Sequence, residues 1–161
     1  MRFMGQTMEH PSESVKAEEQ LEMSARTGLE LQRLNLAVLI DIRQKFELEL
    51  QGEIPGASFL PLFHFKRMLG HTLSELEQAA LDEDVPDMRD IQHFLAMINR
   101  MHHAKELILV CVCNSGNRSL NAARLLRLLG YEHSFSMAGG YRALEELLEA
   151  EKKKDDAVRT L

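Results

Sequence analysis

The chain has no long apolar run. A membrane helix needs about 20 consecutive apolar residues, and every apolar stretch in these 161 residues is far shorter. The N-terminus, MRFMGQTMEHPSESVKAEEQ, lacks the apolar core of a secretory signal. No membrane partner is expected, and the expected location is cytoplasmic. A basic excess is missing too, with a formal net charge of -6. That argues against nucleic acid, whose phosphates are met by a basic face. Cysteine is scarce: Cys111 and Cys113 are the only two, and one intervening residue leaves them too close for an ordinary disulfide. None of the seven histidines forms a zinc-type pair with a Cys-x-x-Cys. Neither a metal nor a cofactor is expected. Internal repeats and low-complexity blocks are absent as well.

What is present reads as one α/β domain. Residues 1–19 are polar and read as a tail. Leu21 to Met23 suits a short edge strand, and Ser24 an N-cap for a helix over Ala25 to Arg33. Leu36 to Ile40 is a continuous apolar run of strand length, as a sheet covered on both faces requires. Asp41 and Arg43 sit at its C-terminal end, and helix-period residues follow to Leu50. Ile54-Pro-Gly-Ala57 is a turn, and Ser58 to Leu60 a strand stopped by Pro61. A largely helical insert is predicted over about 63–104. Within it, Thr72 and Glu75 have capping-box spacing, and Asp87 opens a helix with apolar residues every three or four positions. Leu107 to Val112 is another buried strand. A helix to Gly130, a strand over Ser134 to Ser136 and a last helix from Gly139-Gly140 to about Glu149 complete the domain, which spans 20–150. Residues 151–161 read as a charged, solvated tail. Strands alternating with helices imply a parallel sheet whose site lies beyond the strands' C-terminal ends. Asp41 and Cys113 are both placed there.

The stretch Cys113-Asn-Ser-Gly-Asn-Arg-Ser119 carries the chemistry. Cys113 is the first residue past a buried strand, and Ser119 is read as opening a helix. Loop amides turned inward, the helix N-terminus and the Arg118 guanidinium would all favour thiolate over thiol. Gly116 stands where a tight loop most needs freedom from a Cβ. A lone cysteine at a strand end is more often a small core residue, but that reading leaves the glycine, the arginine and the helix start around it unexplained. Cys111, two residues back on the same strand face, is expected to be buried and inert, a resolving thiol being the alternative. Arg118 has a plainer reading as well, as the partner of an acid such as Asp41.

Four ordered pieces resemble the rhodanese (sulfurtransferase) domain family. Leu39-Ile-Asp-Ile-Arg43 is similar to that family's strand ending in Asp-x-Arg. Gly52-Glu-Ile-Pro-Gly-Ala57 is similar to its Gly-His-Ile-Pro-Gly-Ala turn. Cys113 to Ser119 matches its Cys-x-x-Gly-x-Arg-Ser loop, and Gly130-Tyr131 with Gly139-Gly-Tyr141 matches its later markers. The resemblance implies a three-layer fold, with a five-stranded parallel sheet between helices, and here an extra helical insert. It also implies a Cys113 persulfide, loaded from thiosulfate or another persulfide and unloaded to a thiol or cyanide. The amides of Asn114, Ser115, Gly116, Asn117 and Arg118 would hold it, with Asp41 and Arg43 bracing the loops. As bare residues, Asp41 and Arg43 could equally be a surface ion pair.

Two departures from the family pattern stand out. Glu53 replaces the family's His, and about forty residues separate Pro61 from Leu107, a length at which structureless loops are uncommon. The insert, with apolar residues such as Leu73 and Met97, could dock a protein partner, or simply pack as a lid. A long insert with a Gly-Gly-Tyr-Arg-Ala ending also resembles the rhodanese domain of tRNA 2-selenouridine synthases. Those carry a P-loop domain, however, and no Gly-x-x-x-x-Gly-Lys-[Ser/Thr] occurs here. Rhodanese-fold phosphatases and arsenate reductases have Cys-x5-Arg. Four residues separate Cys113 from Arg118, and the smaller ring favours sulfur. A sulfur carrier or an interaction module is the other alternative.

Overall fold

A computed structural model of the chain describes residues 20–63 and 85–159. Five strands, β1 (Glu22–Met23), β2 (Ala37–Asp41), β3 (Ser58–Phe59), β4 (Ile108–Val112) and β5 (Ser134–Met137), form one sheet in the order β1-β5-β4-β2-β3. Every pairing is parallel. Among the described residues, five helices accompany them: α1 (Ala25–Arg33), α2 (Lys45–Gln51), α3 (Met88–Met101), α4 (Arg118–Leu128) and α5 (Gly140–Arg159).

Alternation along β4 sorts the core into two layers, because successive strand side chains point to opposite faces. Leu109, Cys111 and Cys113 pack with Phe94 and Ile98 of α3 and with Ala122 and Leu126 of α4. Val110 and Val112 face the other way, with Leu29 of α1 and Leu144 of α5. The sheet is therefore covered on both sides. Burial on both faces is why β2 and β4 read as unbroken apolar runs. Each fully buried Leu, Ile or Phe of these layers contributes about 1.5–3 kcal/mol.

Helix starts follow the sequence closely. Ser24 Oγ accepts from Thr27 N at 3.1 Å, and Asp87 caps α3 by accepting from Asp90 N. Asn35 ends α1 region with a left-handed φ of 61°, a conformation asparagine tolerates better than most residues. Three expectations need correction. α4 opens at Arg118, one residue ahead of Ser119, with Asn117 before it, so Ser119 lies within the first helical turn. The last helix continues to Arg159, ten residues beyond Glu149, and the expected charged tail is helical over most of its length. Ala, Glu and Lys are strong helix formers, and Glu149/Lys153 and Lys152/Asp156 are spaced to attract along the helix. Finally, Met97 is half-buried against the α3–α4 core layer, not an exposed docking residue. The Thr72–Glu75 capping box and Leu73 lie outside the described residues.

Candidate active site

β4 is the central strand, and its C-terminal end delivers Cys113 to the foot of α4. The sulfur is enclosed by donors. Gly116 N donates to Cys113 Sγ at 3.1 Å and Ser119 N at 3.4 Å. Ser119 Oγ is 3.4 Å from the same sulfur. Of these two amides, Gly116 belongs to the stretch expected to hold the sulfur and Ser119 lies one residue beyond it. Gly116 reaches this geometry at φ 104°, and a Cβ there would press on Gly139 N and Met137 O. Only glycine fits without strain.

The loop is fastened from two sides. Cys113 O accepts from Tyr141 N at 2.7 Å and Asn114 O from Arg142 N at 3.3 Å, which ties the loop to the start of α5. From the β2 side, Arg43 Nη1 donates to Gln51 Oε1, and Gln51 Nε2 donates to Asn114 Oδ1, both at 3.2 Å. Arg43 is gripped by Asp41 through two side-chain bonds of 2.9 and 2.7 Å and lies over the Tyr141 ring at 4.2 Å. Both members of the pair are buried, so the surface ion-pair reading of Asp41 and Arg43 does not hold. Tyr141 OH donates to Gln51 O at 2.6 Å. Burial, and next the Glu145 carboxylate, push the Tyr141 phenol up, which keeps its proton available for that bond.

Arg118 is buried, and its guanidinium is engaged by an acid other than the one anticipated. Its Nη2 and Nη1 meet Glu47 Oε1 and Oε2 at 2.7 and 2.9 Å, while Asp41 belongs to Arg43. Glu47 Oε2 also accepts from Gln44 N at 2.8 Å. Glu47 was not singled out from the sequence. The Gln44-x-x-Glu47 spacing marks it as a capping-box residue at the start of α2, which says nothing of Arg118. Of the other loop residues, Asn114 is buried, Asn117 is exposed and Ser115 is half-buried. Ser115 Oγ has no hydrogen-bond partner among the described residues. Glu53 is exposed.

Cys111 lies behind the site, fully buried. Burial, and next the nearby Cys113, push its thiol far up. A thiol so disfavoured as an anion is a poor nucleophile. Among the described residues, no group of three or more His, Cys, Asp or Glu side chains could hold a metal ion, and no helix is long and apolar enough to cross a membrane. A cavity of about 520 Å³ opens between α1, the turn after α2 and α5, lined by Leu29, Gln32, Arg33, Ile54, Pro55 and Leu144 among others. It contains no nucleophile and does not include the loop.

A family model described as a rhodanese-like domain matches residues 24–147. Among solved structures, the human single-domain sulfurtransferase TSTD1 is 26% identical with a TM-score of 0.51; the match covers 78% of this chain and 96% of that one. The polysulfide-sulfur transferase homodimer of Wolinella succinogenes is 18% identical with a TM-score of 0.53, covering 84% and 81%. A Rhodopseudomonas palustris protein described as a possible tyrosine phosphatase is 18% identical with a TM-score of 0.50, covering 90% and 96%. At that identity the last two speak for the fold alone. A search of curated proteins returns no match.

Proposed function

The chain belongs to the rhodanese-like domain family, and from that premise we propose that it is a sulfurtransferase working through a Cys113 persulfide. Sulfane sulfur arrives from thiosulfate or a persulfide donor and departs to a thiol or cyanide. The observation that carries this reading is the surroundings of Cys113 Sγ: two amide donors and a hydroxyl at 3.4 Å around one sulfur. Such surroundings stabilise negative charge on sulfur without using a cofactor. Asp41, Arg43 and Gln51 act as braces, holding Asn114 and hence the loop while touching no reacting atom.

The loop size also supports sulfur over phosphorus. A tetrahedral oxyanion has several oxygens to satisfy, and the ring between Cys113 and Arg118 has only four residues to offer. Arg118 is committed to Glu47.

The test is a thiosulfate:cyanide assay on three proteins, with intact mass after thiosulfate treatment. The wild type should turn over and gain the mass of one sulfur atom. Cys113→Ser should lose both properties, and Cys111→Ser should keep most of its activity. A wild type that takes sulfur from neither thiosulfate nor a persulfide would defeat the proposal. Equal loss in both variants would replace it with a two-thiol mechanism.

A further inference from the structure

Ser119 and Ser136 are both fully buried. Ser119 Oγ lies 3.4 Å from Cys113 Sγ and 2.6 Å from Ser136 Oγ. Ser136 Oγ in turn donates to Gly116 O at 3.3 Å. These contacts begin at the nucleophile and close on its own loop, since Gly116 N is already a donor to the sulfur.

Each hydroxyl has one proton, and that restricts the arrangement to two settings. While Ser136 donates to Gly116 O, the proton in the 2.6 Å contact is Ser119's. Ser119 can then only accept from the sulfur. For Ser119 to donate to Sγ, its proton must turn to the sulfur, and the contact between the hydroxyls must be filled by the proton of Ser136. Ser136 then releases Gly116 O.

We propose that Ser136 is a positioning residue for sulfur transfer. By turning its proton between Gly116 O and Ser119 Oγ, it lets Ser119 donate to Cys113 Sγ when that sulfur is charged and withdraw when it is not. The idea rests on the persulfide reading above. In loading, the thiolate pair of Cys113 forms the new S–S bond. The S–S bond of thiosulfate breaks, and its electron pair leaves on sulfite. Sγ is then neutral, with the charge on the outer sulfur. In unloading, the acceptor attacks the outer sulfur, and the pair of the Cys113 S–S bond returns to Sγ. Charge leaves Sγ and comes back once per turnover, and the hydroxyls reverse with it, with no proton gained or lost along them. The two amides are fixed and cannot follow. Without Ser136, the Ser119 hydroxyl loses its 2.6 Å partner and is free to rotate away from the sulfur.

A double-mutant cycle tests this, read by iodoacetamide alkylation of Cys113 and by sulfur return to cyanide. Ser136→Ala and Ser119→Ala should each slow both reactions roughly tenfold, the scale of one hydrogen bond to a charged group. The double variant should be no slower than either single one, because Ser136 acts only through Ser119. Ser136→Thr keeps the hydroxyl and should recover most of the rate. Additive losses, or a Ser136→Ala protein at wild-type rates, would overturn the proposal. A rate loss that tracks melting temperature and is not rescued by Thr would do the same. Alkylation needs no sulfur donor, so a wild type that moves no sulfur refutes the functional reading while the cycle still reports on the hydroxyls.

Discussion

Arg118 illustrates how a residue can matter to a site without acting on the reacting atom. Its two terminal nitrogens are held by Glu47 within 2.9 Å, and both side chains are buried. Breaking a buried pair from one side is costly, because it leaves a charge uncompensated; about 3–5 kcal/mol is typical. Arg118→Ala should therefore lower the urea-unfolding free energy by about that amount. A loss under about 1 kcal/mol would mean that water or another donor replaces the guanidinium. At this scale the sequence told an uneven story. Cys113, Gly116 and Arg118 lie within one six-residue stretch and could be recognised together. Glu47 could not be linked to them, because a lone glutamate in a short helix looks like surface until the fold buries it 71 positions away from its partner.

At the scale of elements, the loop after β4 and the start of α5 are built as one piece. Gly140 has φ 58°, and a Cβ on it would run into the carbonyl oxygens of Cys113 and Asn114. Both obstacles are backbone, so neither can swing aside. Gly140→Ala should cost about 2 kcal/mol or more and remove most activity. Gly130 makes the control: its φ is 101°, but a Cβ there meets only the Lys105 side chain, at 3.7 Å. Gly130→Ala should lose about 1–3 kcal/mol, from backbone strain alone, and keep its activity; thermal melts with an activity assay check both. A Gly140→Ala protein no less stable than Gly130→Ala would refute the close packing described here. Element types were legible because strand and helix periods are distinct, as β2 and α3 illustrate. Ends were less so. The continuation of α5 past Glu149 runs along a largely exposed stretch met by Arg33 at Glu151, and no apolar stripe announces it.

For the whole molecule, the buried thiol of Cys111 makes stability depend on pH. In the unfolded chain a cysteine loses its proton near pH 8.5, whereas in the fold burial keeps the proton on. Above that pH the unfolded state holds fewer protons, so stability falls as pH rises. The contribution is fully present below about pH 8 and lost above it, at roughly 1.4 kcal/mol per pH unit from this group. Cys111→Val should flatten the unfolding free energy between about pH 8.5 and 10 relative to wild type. Parallel curves for the two proteins would show that the thiol titrates in the fold much as it does outside it. The global architecture was the most legible level of all, since strand runs separated by helices admit few parallel topologies. What the order of segments did not disclose was the set of cross-links over the site, such as Gln51 to Asn114 or Ser136 to Ser119, which depend on distances no linear pattern contains.

The strand order has a consequence for how the protein is born. β4 pairs with β2 on one side, Ala37 against Ile108, and with β5 on the other, Leu109 against Ser134. Pairings so distant in sequence form slowly. During synthesis Cys113 leaves the ribosome before Ser136, Gly140 and Tyr141 exist to close over it, and until they do its loop lacks half its fastenings. The loop's ties to β5 and α5 are therefore acquired last, after the final strand has docked. In a truncated or stalled chain the loop lacks its ties to Ser136, Tyr141 and Arg142.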